Sequence, residues 1–162
     1  MRRSVLQLLL GFVLLPTLLV AAGCGPVTAI TAPGNFVMLE DDQLPWGVAH
    51  KAISSDGAVV VVREHEHEPR GSLTFWTEAL QREVTQGRGY TLLETTDLRT
   101  TSGLQGQRMQ FKGAYNETTY RYDVAIFLVD DSIVTVEVAA PEASWEQHAG
   151  ELEAAMQSLR PD

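Results

Sequence analysis

The most conspicuous candidate for chemistry in this 162-residue chain is a run of charged and imidazole side chains, residues 63–68, which reads Arg-Glu-His-Glu-His-Glu. On a β-strand, His65 and His67 would share one face about 7 Å apart, a spacing that suits two ligands of zinc or copper. A third ligand is needed, and His50 or His148 could supply it. The alternative is that a buried strand ends in solvent, where charged side chains are ordinary.

The only cysteine, Cys24, ends an N-terminal segment that has the plan of an export signal. Two arginines follow Met1, residues 5–22 are almost continuously apolar, and small residues lead up to the cysteine. This segment resembles a bacterial lipoprotein signal with its lipobox. The resemblance implies that residues 1–23 are a cleaved signal peptide and that Cys24 is lipidated. An uncleaved membrane anchor or an ordinary secretory signal remains the alternative.

Lipidation of Cys24 would decide both the chemistry and the location of the protein. No thiol would remain for a disulfide, a nucleophile or a thiolate metal site. Because two or three acyl chains hold a protein stably on a bilayer, the membrane would be its first partner. We therefore expect a lipid-anchored protein of the bacterial cell envelope, which in a Gram-negative organism would lie on the outer membrane and face the periplasm.

Charge and motifs exclude several function classes. The formal charge is −9, and because residues 1–24 hold two arginines and no acidic residue, the rest of the chain carries −11. An acidic chain without a basic stripe is a poor partner for nucleic acid. The chain has neither a Gly-x-Ser-x-Gly nucleophile motif nor a phosphate-binding glycine loop, and Asp41-Asp42 and Asp130-Asp131 fit turns better than calcium sites. We expect no enzyme and no cofactor.

Hydrophobic periodicity predicts the elements that position these side chains. Residues 24–34 comprise the lipidated cysteine and a flexible tether, because residues 25–34 hold two prolines, two glycines and no charge. Residues 35–162 form one α+β domain. A hairpin turns at Asp56-Gly57, a helix with an apolar stripe spans residues 72–86, and four short-looped strands follow. A last helix begins at Ser144 with the form of a capping box.

The predicted fold is therefore an antiparallel sheet of about six or seven strands with two main helices packed on it. The strand at residues 118–129 is apolar on both faces in its second half, so both faces of the sheet need a cover. The last helix is the expected cover for the second face. Trp76 and Trp145 lie on helical apolar stripes and are expected in the core, whereas Trp46 follows Leu44-Pro45 in a loop and is the better candidate for exposure.

The order of these elements resembles the PsbP-like superfamily, in particular its bacterial DcrB-like envelope proteins. The residues that carry the resemblance are Ser72, Leu73, Trp76 and Leu80 in the first helix, Gly89, Tyr90, Leu92 and Leu93 after it, and Gly103, Gly106, Met109 and Phe111 in the following strand. The resemblance covers about residues 35–160. It implies an α/β/α sandwich and a role without catalysis.

Two functions follow as expectations. The first is a membrane-anchored envelope lipoprotein that binds or supports another envelope protein. The second is a lipoprotein that binds a metal ion or a small ligand through His65 and His67.

Overall fold

A computed structural model of the protein describes residues 25–162. Two α-helices are present in this part of the chain: α1 (Leu73–Arg82), which continues into a π-helical turn (Glu83–Gly87), and α2 (Trp145–Gln157). The strands are β1 (Thr28–Ala29), β2 (Val37–Met38), β3 (Val48–Ile53), β4 (Val59–Glu66), β5 (Thr91–Arg99), β6 (Gln105–Tyr115), β7 (Thr118–Val129), β8 (Ser132–Pro141) and β9 (Arg160–Pro161).

Seven of these strands form one antiparallel sheet in the order β2-β3-β4-β8-β7-β6-β5. Short connections make β5 to β8 a meander, because a tight turn can join only antiparallel neighbours. The β3–β4 hairpin turns at Asp56-Gly57 as predicted, with Gly57 at a φ of +93°. The predicted fold class, an antiparallel sheet with two main helices packed on it, is confirmed.

Each face of the sheet has its own apolar core. Side chains alternate along β7, so that Val124 and Ile126 pack on the α1 side while Ala125 and Phe127 pack on the α2 side. This two-sided burial explains the apolar second half of β7. The last helix covers the second face, as the sequence predicts.

The two helices begin in different ways. Ser72 caps α1 as predicted, because its Oγ accepts a hydrogen bond from the Phe75 backbone N–H at 3.1 Å. The capping box predicted at the start of α2 is wrong. Ser144 precedes this helix with a ψ of 0°, away from the extended conformation that side-chain capping uses, and it makes no side-chain cap bond.

The structure also differs from the predicted flexible tether over residues 25–34. β1 pairs with β9, and Thr28 is fully buried. The Glu64 carboxylate accepts hydrogen bonds from the backbone N–H groups of Val27 and Thr28, both at 2.9 Å, and from the Thr28 hydroxyl at 2.5 Å. We call these contacts between Glu64, Val27 and Thr28 the N-terminal clamp.

The signal peptide and Cys24 lie outside the described residues. Within residues 25–162, neither helix has the length and hydropathy needed to span a membrane.

Candidate functional site

A groove lies between α1 and the sheet and encloses a cavity of about 380 Å³. Helix α1 supplies one wall, because its apolar stripe faces the sheet. β4, β7 and β8 supply the other surface; in β8 the lining side chains come from alternate positions, Ile133, Thr135 and Glu137. We call this feature the α1 groove; its lining residues are Arg63, His65, Glu66, Trp76, Ala79, Leu80, Glu83, Arg88, Ile126, Ile133, Thr135 and Glu137.

Two arginine–glutamate pairs lie in the α1 groove. Arg63 Nε donates to Glu137 Oε1 at 2.9 Å across the β4–β8 ladder. Arg88 donates from Nε and Nη2 to the two carboxylate oxygens of Glu83, at 3.0 and 3.2 Å. The π-helical turn brings Glu83 and Arg88 to this distance, and such turns are frequent at functional sites. The groove therefore combines apolar walls with two ion pairs.

A buried tyrosine lies next to these pairs. The Arg88 guanidinium carbon is 6.0 Å from the centre of the Tyr122 ring, within the range of a cation–π contact. Burial, together with the negative charge of Glu137, raises the pKa of the Tyr122 phenol well above its usual value. The phenol therefore stays protonated at physiological pH and does not act as a base.

The lining of the α1 groove suits binding. No serine, cysteine or lysine is among the residues that line it, and its single hydroxyl, on Thr135, points to Glu137 Oε1 at 3.4 Å. An apolar group can pack against Trp76 and Leu80 while its polar neighbours meet the paired charges. This division between apolar body and polar edge is typical of ligand and peptide sites.

The structure separates His65 from His67. His65 is exposed and lines the α1 groove. His67 lies beyond the end of β4, is 7% exposed, and packs edge-on against Trp76 with ring centres 6.2 Å apart. Its Nε2 is 2.9 Å from the Gly71 carbonyl oxygen. His67 is therefore held by its own loop.

The predicted third ligands are also occupied elsewhere. His50 Nε2 is 2.6 Å from the Thr28 carbonyl oxygen, and His148 Nε2 is 2.7 Å from Asp56 Oδ2. Among residues 25–162, no group of three His, Cys, Asp or Glu side chains could hold a metal ion. Of the four histidines considered as metal ligands, three have a hydrogen-bond partner within the domain, and His65 alone is exposed.

A second concave surface lies beside the N-terminal residues of the described chain. Its cavity of about 410 Å³ is lined by Gly25, Pro26, Asp41, Leu44, Pro45, Trp46, Gly47, Val48, Ala49 and Glu64. Trp46 is 95% exposed, which confirms the prediction for this residue. Trp145 is buried and Trp76 is half-buried against the core, also as predicted.

Sequence reasoning missed the α1 groove itself. The apolar stripe that contains Trp76 and Leu80 predicts burial of this helix face. It does not predict the cavity between the helix and the sheet that Ala79 lines. Arg63 was noted only as part of the charged run, since its partner Glu137 lies 74 residues away. The alternation of Thr135 and Glu137 with apolar residues in β8 was the available signal.

Comparisons with known proteins identify the fold. No family model and no curated protein matches the chain. Among solved structures, LpqN of Mycobacterium tuberculosis, involved in cell envelope biogenesis, has a TM-score of 0.62 at 7% identity, and the match covers 86% of each chain. The cyanobacterial PsbP (CyanoP) of Synechocystis has a TM-score of 0.59 at 11% identity and covers 86% of this chain and 96% of its own.

The Ran-binding protein Mog1p of Saccharomyces cerevisiae has a TM-score of 0.58 at 11% identity, over 83% of this chain and 90% of its own. At these identities the likeness establishes a PsbP-like fold.

Proposed function

We propose that the chain is a lipid-anchored, non-catalytic protein of the bacterial cell envelope that binds another envelope protein through the α1 groove. Residues 1–23 act as the signal peptide and Cys24 carries the lipid. The observation that carries the proposal is the groove itself, which presents apolar side chains beside two arginine–glutamate pairs.

A protein segment fits this groove better than a fully apolar molecule. Trp76 and Leu80 offer a surface for one or two apolar side chains, and aromatic residues are frequent anchors in protein interfaces. Arg63 and Arg88 lie where the flanking polar groups of a peptide would pass. Interfaces with an apolar centre and a polar rim have this arrangement.

The likeness to known folds supports the assignment. Mog1p binds Ran, so a domain of this architecture serves in protein binding. LpqN is involved in cell envelope biogenesis, so a domain of this architecture serves in the process with which the lipobox would associate this chain.

A small ligand is the second candidate function, favoured by the exposure of His65 at the same groove. An apolar ligand with a polar group would pack against Leu80 and reach His65 with its polar end. His67 would take no part, because its Nε2 faces the Gly71 backbone.

The anchor is tested by replacing Cys24 with alanine. We expect radiolabelled palmitate to enter the wild-type protein and not Cys24→Ala, and the variant to leave the membrane fraction. Labelling of Cys24→Ala, or a mature N-terminus other than Cys24, would contradict the anchor.

The groove is tested by photo-crosslinking in living cells. A photoreactive amino acid at Ala79, inside the groove, should yield an adduct with an envelope protein that mass spectrometry identifies. Glu78 is exposed and lies outside the groove, so the same amino acid there is the matched control. Leu80→Asp should abolish the Ala79 adduct. Equal adducts from both positions, or none from Ala79, would contradict protein binding at the groove.

A further inference from the structure

We propose that the loop of residues 44–47, which we call the Trp46 loop, contacts the lipid surface to which the protein is anchored, with the Trp46 indole in the headgroup region. The inference rests on the lipid anchor of the proposed function. It adds an orientation, because it specifies which end of the domain faces the bilayer.

The exposure of Trp46 is the first observation. The side chain is 95% exposed and follows Leu44 and Pro45, so a large indole is held in solvent by a loop of apolar residues. Tryptophan is enriched where membrane meets water, because its ring is apolar and its N–H keeps a polar partner. A bilayer surface gives this indole the environment it prefers.

The second observation is the distance from the anchor. Gly25 and Pro26 line the same cavity as Trp46, and Cys24 is the residue before Gly25. Consecutive Cα atoms in a chain are about 3.8 Å apart. A headgroup layer is about 5–8 Å thick on each side of a bilayer. A lipid on Cys24 therefore brings the Trp46 loop to the depth of the headgroups.

The third observation is that this arrangement is fixed. The N-terminal clamp holds Val27 and Thr28 on Glu64, and the Asp162 N–H donates to the Val27 carbonyl at 3.1 Å. Only three residues separate Cys24 from Thr28, so the anchor cannot swing to the opposite end of the sheet.

The acidic residues beside the loop define the kind of lipid surface. Asp41 lines the cavity and Asp42 follows it, both exposed in the turn before the Trp46 loop. Anionic headgroups would repel these carboxylates. The loop therefore fits a surface of zwitterionic headgroups.

The experiment uses the full lipidated protein in vesicles of phosphatidylcholine with brominated acyl chains, which quench nearby tryptophan emission. We expect the wild-type emission to fall relative to unbrominated vesicles, and the fall to disappear in Trp46→Phe. The control moves the reporter to the other end of the sheet. Tyr115 is 65% exposed at the β6–β7 hairpin, and the double variant Trp46→Phe/Tyr115→Trp should show no quenching.

Mass spectrometry of the N-terminal peptide accompanies each sample and separates the two possible failures. If Cys24 carries lipid and the wild-type emission is not quenched, this inference is overturned and the anchor stands. The same holds if the double variant with tryptophan at position 115 is quenched as strongly as the wild type. Absence of lipid on Cys24 overturns the anchor, and this inference with it.

Discussion

Among single residues, Asp123 on β7 has the most direct expected effect on the stability of the fold. It is fully buried on the α2 side, and its Oδ2 accepts hydrogen bonds from Arg108 Nε and Gln110 Nε2, both at 3.1 Å, as well as from Arg108 Nη2. A charge taken out of water this completely depends on its partner, because desolvation costs several kcal/mol.

Arg108→Met should therefore be strongly destabilising. We expect the free energy of unfolding, measured by urea denaturation, to fall by about 3–5 kcal/mol, since the variant leaves the Asp123 carboxylate buried without its cationic partner. The double variant Arg108→Met/Asp123→Leu removes both charges and should recover most of the loss. A loss below about 1 kcal/mol in Arg108→Met would contradict the dependence of Asp123 on this arginine.

A second residue-scale prediction concerns pH. The hydrogen bonds from His148 and, less strongly, from Ser54 lower the pKa of Asp56 below its usual value of 3.8. A lowered pKa in the folded state stabilises the protein above pH 4, and this contribution disappears as pH falls through the lowered value. Asp56→Asn should thus melt below the wild type at pH 7, and the difference should shrink below pH 4.

The control for Asp56→Asn is Asp42→Asn, which changes an exposed carboxylate in a turn. Thermal melts of the three proteins from pH 3 to pH 7 are compared. A difference between wild type and Asp56→Asn that stays constant over this range would refute the contribution from ionised Asp56.

Among the elements, the β6–β7 pair depends on a glycine. A Cβ on Gly106 would overlap the Ile126 carbonyl oxygen of the neighbouring strand and lie 2.5 Å from Phe127 Cδ1. The strand can move away only by disturbing the α2-side core. A glycine at this position therefore allows β6 to lie under the Phe127 ring.

Gly106→Ala should lower the free energy of unfolding by about 1–3 kcal/mol, the usual cost of overpacking. Gly150 in α2 is the matched control, because a Cβ there meets nothing within 4 Å. Gly150→Ala should stabilise the protein by about 0.5–1 kcal/mol through helix propensity. Denaturation that shows the same change for both variants would be inconsistent with a contact at Gly106.

The elements also show how far sequence reasoning reached. The apolar second half of β7 predicted that both faces of the sheet are covered. The apolar stripe through Trp76 and Leu80 predicted helix α1. Both predictions succeeded because the spacing of apolar residues reflects which side chains are buried. The clamp on Thr28 was missed, since its carboxylate partner Glu64 lies 36 residues away and composition favoured a tether. The α1 groove was missed because it depends on the fit between elements.

At the scale of the whole molecule, the N-terminal clamp joins residues 27 and 28, near the N-terminal end of the described chain, to the folded domain. The Glu64 carboxylate receives hydrogen bonds at both oxygens, one from Val27 and two from Thr28. β1 completes the contact by pairing with β9, so that both ends of the described chain meet. Orientation and stability of this region are therefore coupled.

Glu64→Ala should release β1. A hydrogen bond to a charged group contributes about 1.5–3 kcal/mol, so we expect the amides of residues 27 and 28 to exchange with deuterium roughly ten- to a hundredfold faster. Glu66→Ala, two residues further along, is the control because Glu66 lines the α1 groove instead. Deuterium uptake is measured by mass spectrometry of peptides that contain residues 27 and 28. Unchanged exchange in Glu64→Ala would contradict the clamp.

With the proposed lipid on Cys24, the clamp would also set how far the domain can move from the lipid surface. While the clamp is closed, the proposed anchor would hold the domain at the lipid surface, and a force pulling the domain away would act on the Glu64 hydrogen bonds and the β1–β9 pairing. When the clamp opens, the eleven residues 25–35 can extend only if the Thr31 N–H also leaves Ser158 Oγ, 2.8 Å away, and Ile30 and Ala32 leave the α2-side core. At about 3.3–3.6 Å per residue the domain gains a reach of roughly 35–40 Å from the bilayer. A partner bound at the α1 groove could then hold the domain at this distance from the bilayer while the seven-stranded sheet stays folded.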